Sequence, residues 1–136
     1  MKDAQDNQGY KRLKIYRAAH DLAVRVHKMT LSLPQFEMFE EGSQIRRSSK
    51  SVSSNIVEGY ALRRYKQEYI HYLMRALGSS LETVEHLDYL METGSLSERG
   101  LYKSLLEKNE ELNRMLYSFI KSVSSHHDTT LVGKVK

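Results

Sequence analysis

The chain has 136 residues, no cysteine, one proline, seven glycines and a formal net charge of +4. That length suits one domain with its own core, and the missing cysteines exclude disulfides and thiolate metal sites. No apolar run approaches the eighteen or so residues of a membrane span, and the opening MKDAQDNQG has no signal-peptide core, so a soluble cytoplasmic protein without membrane partners is expected.

Residues 1–9 are polar and aperiodic and read as a disordered tail. From about 11 to 33, Ile15, Ala19, Leu22, Val26, Met29 and Leu33 recur at steps of three and four, the spacing of a helix with one buried stripe, until Pro34 ends it. LPQFEMFEEGS then reads as a connection. A second helix over about 43–61 has the stripe Ile45, Ser49, Val52, Ile56, Gly59. After the short turn ALRRYK, a third over about 65–92 carries Tyr69, Leu73, Ala76, Ser80, Thr83 or Val84, Leu87 and Met91. TGSLS follows, with Gly94 suited to a helix C-terminus and Ser95 or Ser97 to the next N-cap. The fourth helix, about 97–124, is striped by Tyr102, Leu105, Asn109, Leu112, Leu116, Phe119 and Val123, and residues 125–136 read as a flexible tail. Short connections make neighbours antiparallel, so residues 10–124 predict an all-α, antiparallel up-down-up-down four-helix bundle.

The second helix is built from poor helix formers: Ser48, Ser49, Ser51, Ser53 and Ser54 occupy several faces, with Gly59 and Ala61 beyond. A helix buried on one side only would carry long charged residues elsewhere. One reading is that neighbours grip it from more than one direction, including a second copy at the candidate oligomer interface Arg47, Ser51, Ser54 and Glu58. The other is a thin helix whose hydroxyls bond back to the preceding turn. With the turn centred near Arg63, facing residues of the second and third helices sum to roughly 126. Ser48 and Ser49 then oppose Leu77 and Gly78, and Gly78→Leu is expected to destabilise markedly. Asn55, Glu58 and Asn109 adjoin or lie on stripes; for Asn55 and Asn109 the expected role is register through hydrogen bonds, not catalysis.

Charge is uneven. Residues 1–75 hold fourteen Lys/Arg against eight Asp/Glu, a net +6, while residues 76–136 hold seven against nine, a net −2. The topology gathers Lys11, Arg12, Lys14, Arg17, Arg63, Arg64, Lys66 and Lys121 at one pole, near Lys134 and Lys136. Glu37, Glu40, Glu41, Glu92 and Glu98 gather at the other, partly offset by Arg46, Arg47 and Arg99. Cations at helix N-termini oppose the helix dipole, whereas amides and cations converging there suit a phosphate. Lys11, Arg12, Lys14, Arg17, Arg63, Arg64 and Lys66 are therefore the candidate nucleic-acid contacts, with Tyr10, Tyr16 and Tyr65 placed to stack on unpaired bases. The competing reading is a solvated surface whose tyrosines belong to the core.

Catalytic chemistry is absent from the motifs. Glu68 and His71 form one Glu-x-x-His pair, but a di-metal bundle site needs a second, and Glu82 is followed by His86 one position too late. His126-His127-Asp128 lies in the expected tail. Neither a phosphate-cradling glycine loop nor a nucleophile elbow occurs, so no catalytic residue, metal site or cofactor is expected, and the chain does not read as an enzyme.

The segments YKRLKIY, SLP before residue 35, QIRRSSKSVSSNIVEG, YKQEYIHYL and ALGSSLETVE together resemble the four helix bundle protein family, also called the ribosomal RNA intervening-sequence protein family. The resemblance covers about residues 10–123. Where relatives carry a serine-like cap before the third helix, Arg64-Tyr65 stands here. The resemblance implies a four-helix bundle that assembles into homo-oligomers, with ring-shaped pentamers suggested, and no established enzymatic activity. Accessory proteins of diversity-generating retroelements are similar, and their resemblance implies contacts with nucleic acid and a reverse transcriptase. The expectation is a non-enzymatic homo-oligomeric adaptor that contacts RNA or DNA at its basic pole, the alternative being a protein-interaction scaffold without nucleic-acid binding.

Overall fold

The computed structural model describes residues 8–126, so the tails at 1–7 and 127–136, with Lys134, Lys136 and most of His126-His127-Asp128, lie outside the described residues. After a 3-10 turn at Gly9–Arg12 come α1 (Lys14–Thr30), α2 (Gln35–Phe39), α3 (Glu41–Ala61), α4 (Lys66–Glu92) and α5 (Arg99–Ser125). The four long helices form an antiparallel bundle in which α3 lies between α1 and α4, and α5 packs on α4 and α1. No strand occurs among the described residues, and none of their helices is long and apolar enough to cross a membrane.

The stripes meet in one core. Ile15, Ala19, Leu22, Val26 and Met29 of α1 join Ile45, Val52 and Ile56 of α3, Tyr69, Leu73 and Leu87 of α4, and Leu105, Leu112, Leu116 and Val123 of α5. On α4 it is Thr83 and Leu90 that are buried, and Val84 and Met91 are only half-buried.

Several boundaries differ from the periodicity, each for a packing reason. The first helix begins at Lys14, because continuing its stripe backwards would bury Lys11 or Arg12. The chain instead turns extended at Leu13 (φ −72°, ψ 129°) and sinks that side chain into the core. Burying a leucine stabilises by about 2 kcal/mol, more than another helical turn there would give. Gln8 and Gly9, expected in the tail, are part of this arrangement, and Gly9 is buried beneath the Tyr60 hydroxyl. The first helix also ends at Thr30, although Leu33 remains a core residue. The connection after it holds α2, whose Glu37 is buried; its carboxylate accepts from the Ser95 hydroxyl and from the Glu41 amide at 3.3 Å. Ser95 is thereby occupied and does not cap α5. Leu96 plugs the core, and α5 starts at Arg99 with no side-chain cap. Gly94 adopts φ 84°, the left-handed conformation glycine tolerates at a helix end.

The α3/α4 register also needs correction. Ser48 Oγ lies 2.9 Å from Thr83 Oγ1, Ser79 Oγ donates to Ser51 Oγ at 3.0 Å, and Gly59 faces Tyr72, so facing residue numbers sum to about 131 rather than 126. Helical side chains lean toward their own N-terminus. On antiparallel helices that lean shifts both partners toward higher residue numbers by about one each, which accounts for about two of the five. Gly78 is consequently exposed, with open space where a Cβ would stand; the close approach falls at Gly59.

The serines divide between the two readings. Ser48, Ser49, Ser53 and Ser54 all donate to carbonyls three residues back, while Ser48 and Ser51 also bond hydroxyls of α4. Asn55 is buried, but its amide donates to Ser51 within its own helix, at 2.9 Å to the carbonyl and 3.0 Å to the hydroxyl. Asn109 crosses helices: its Nδ2 donates to Ser80 O at 3.1 Å and Ser80 Oγ at 2.9 Å, and the Ser80 hydroxyl in turn donates to Asn113.

Candidate nucleic-acid interface

The start of α1, the end of α3 and the start of α4 come together through aromatic packing. Tyr10 stands edge-on to Tyr16 (centroids 4.9 Å) and Tyr60 (6.5 Å), and Tyr69 packs edge-on to Phe119 at 5.9 Å, joining α5. Arg63 stacks over the Tyr60 ring, 4.0 Å from its centroid, and donates to the Tyr60 carbonyl. Arg17 donates to the carbonyls of Lys11 (3.1 Å) and Arg12 (2.7 Å), pinning the 3-10 turn against α1. Burial pushes the Tyr69 phenol well above the ordinary tyrosine value, and burial with Tyr10 as neighbour pushes Tyr16 upward.

On this base the predicted cations sort into two kinds. Lys11, Arg12, Lys14 and Arg64 are exposed and Lys66 is half-buried. Arg17 and Arg63, bound to backbone carbonyls, position the turn and the α3 terminus. Neither α1 nor α4 has a side-chain N-cap; the first turn of α1 holds no acidic residue and that of α4 only Glu68. Ion pairs among the described residues join Arg25 to Asp21 and His86 to Glu41 and Glu82, leaving Lys11, Arg12, Lys14, Arg64 and Lys66 without a carboxylate partner there. The pole therefore combines uncapped amides with side-chain cations, an arrangement that attracts phosphate. Of the tyrosines expected to stack on bases, Tyr10 and Tyr16 are instead committed to the aromatic packing, and Tyr65 alone of the three stands exposed, at 59%.

The second candidate surface lies along α3. Arg47, Ser54, Glu58 and Ala61 face outward from the single chain, and Ser51 is half-buried against Ser79. α1 and α4 thus cover two flanks of α3, and the outward strip stays thin.

Three features escaped sequence reasoning, two of them because they join residues distant in the chain. His86 bridges Glu41 (2.6 Å) and Glu82 (3.3 Å), tying α4 to the first turn of α3. Leu31, Phe36 and Phe39 stand exposed around α2, the phenylalanines at 67% and 64%; their apolar character in LSLPQFEMF was the available signal. A groove of about 390 Å³ between α1 and α3 is lined by His20, Ala23, Val24, His27, Lys28, Lys50 and Ser53, with Lys50 Nζ donating to His27 Nδ1 at 3.1 Å. Glu68 and His71 are exposed, and the described residues contain no group of three His, Cys, Asp or Glu able to hold a metal.

The profile of the 23S rRNA-intervening sequence protein family matches residues 11–118. A crystal structure of a protein of unknown function, from the S23 ribosomal protein family of Bacteroides thetaiotaomicron VPI-5482, is similar. It superposes with a TM-score of 0.69 at 28% identity, over 79% of this chain and 95% of that one. No curated protein matches. Matching over most of its length in sequence and in fold, the chain belongs to the 23S rRNA-intervening sequence protein family.

Proposed function

We propose that this protein is a non-enzymatic, homo-oligomeric adaptor that binds nucleic acid through its basic pole. The observation that carries the reading is the clustering of Lys11, Arg12, Lys14, Arg64 and Lys66 around two uncapped helix N-termini, with no carboxylate partner among the described residues. Such cations repel one another and the helix dipoles, a cost that a bound phosphate backbone relieves. Self-association places several poles on one assembly. The thin outer strip of α3, through Arg47, Ser51, Ser54 and Glu58, is the proposed contact between copies, and the family resemblance favours five. Filter binding to single- and double-stranded RNA and DNA across salt tests the pole: affinity should fall steeply as salt rises, and absence of binding at low salt, or salt-independent binding, refutes it.

The exposed Leu31, Phe36 and Phe39 favour a second reading, a protein-interaction scaffold without nucleic-acid binding. Apolar side chains clustered at one end of a bundle suit a protein partner better than a polyanion.

A further inference from the structure

Resting on the pole reading above, we infer that the groove between α1 and α3 is a track that carries a single nucleic-acid strand from the basic pole down the side of the bundle. Arg17, His20, Val24 and Lys28 follow one another at steps of three and four, so they share one face of α1. Across the groove α3 supplies Lys50 and Ser53. Ala23 and Val24 provide apolar surface between these nitrogen-bearing groups, and no carboxylate lines the groove. Asp21 lies on that same face, four residues after Arg17, but it does not line the groove and is paired with Arg25 at 2.8 Å; Glu58 belongs to the outer strip of α3.

Two properties separate this groove from scattered surface lysines. Its cations are organised across helices, the Lys50 ammonium held 3.1 Å from the His27 ring nitrogen. It is also continuous with the pole, because Arg17, whose guanidinium rests on the Lys11 and Arg12 carbonyls, heads the same face of α1. Packed helices stand about 8–10 Å apart, so the groove between them admits one strand and not the body of a duplex. From Arg17 to Lys28 the helix rises about 17 Å, a length suited to about four nucleotides, the lower end of the range for strand-binding grooves. Phosphates would meet Lys28 and Lys50, beyond the carbonyl-bound Arg17, while sugars or base edges lie over Ala23 and Val24.

The test is fluorescence anisotropy of labelled oligothymidylates of about 4 and about 12 nucleotides, titrated across salt with the wild type and with a Lys28→Gln/Lys50→Gln double variant. Both lysines are exposed, and circular dichroism checks that the variant folds. With the longer strand, losing two phosphate contacts should flatten the slope of log K against log salt by about 1.4. The slope for the short strand, which can sit on the pole instead of the groove, should flatten less. A wild-type slope in the double variant, with a Lys11→Gln/Arg64→Gln variant clearly weakened, overturns the track and leaves the pole standing. No binding of either strand by the wild type removes both. Displacement of the strand by polyglutamate that the double variant resists, its strand affinity unchanged, assigns the groove to an acidic protein segment and also overturns the inference.

Discussion

Two glycines, Gly59 in α3 and Gly78 in α4, turn the interhelical register into a stability measurement. Replacing a helix-interior glycine by alanine gains about 1 kcal/mol from backbone entropy alone. At Gly78 an added Cβ meets nothing within 4 Å, so Gly78→Ala should keep that gain. At Gly59 the same atom would stand 3.1 Å from Tyr72 Cβ and 3.4 Å from Tyr69 Cδ1. Tyr72 Cβ is fixed to backbone and cannot swing away, so the helices must separate or the rings shift, an overpacking cost of about 1–3 kcal/mol. Gly59→Ala should therefore range from neutral to about 2 kcal/mol less stable, leaving the two variants about 1–3 kcal/mol apart. For a domain of this size that gap is roughly 4–10 °C in Tm. Urea and thermal unfolding followed by far-ultraviolet circular dichroism, at matched protein concentration, would measure it. Equal effects, or Gly78→Ala the less stable of the two, would refute the register and restore Gly78 to the α3/α4 contact.

Other consequences lie in the buried polar groups. The Tyr69 hydroxyl is buried with no hydrogen-bond partner among the described residues, so Tyr69→Phe should raise stability at neutral pH by about 1 kcal/mol in urea unfolding, and a loss would show that the hydroxyl is satisfied. Burial raises the folded phenol's pKa above its unfolded value near 10. Below that value both states are protonated and this group gives no pH dependence. Above it the unfolded chain ionises first, and stability should fall by up to about 1.4 kcal/mol per pH unit, a slope that Tyr69→Phe should reduce. Asn109→Ala removes two hydrogen bonds to Ser80 and leaves a cavity, for a loss of about 2 kcal/mol in the same unfolding assay; an unchanged midpoint would deny Asn109 its part in fixing α5 against α4.

The fold was legible because its stripes are long and regular: Ile15 to Met29 and Leu105 to Val123 define their helices without help from tertiary contacts. Local periodicity is silent about a chain that leaves its helix to bury one more side chain, as at Leu13 and Leu96, or about a carboxylate such as Glu37 whose partner Ser95 is far along the chain. The α3/α4 register differs from a count made from the turn, and the lean of side chains supplies about two of the five positions. At the candidate site, chain order identified the pole's membership. It could not separate Arg17 and Arg63, which hold backbone, from Lys11, Lys14 and Arg64, which face solvent, because that division depends on where carbonyls end. Nor could it pair Lys50 with His27, which meet only when α3 folds back along α1.

The claim on which the adaptor reading turns is that the thin strip of α3 bearing Ser51, Ser54 and Glu58 is a surface between copies. Multi-angle light scattering at micromolar concentration addresses it directly. The account predicts a particle several times the 15.8 kDa chain mass, reduced toward that mass by Ser54→Arg. A wild-type protein that stays at 15.8 kDa throughout would contradict it.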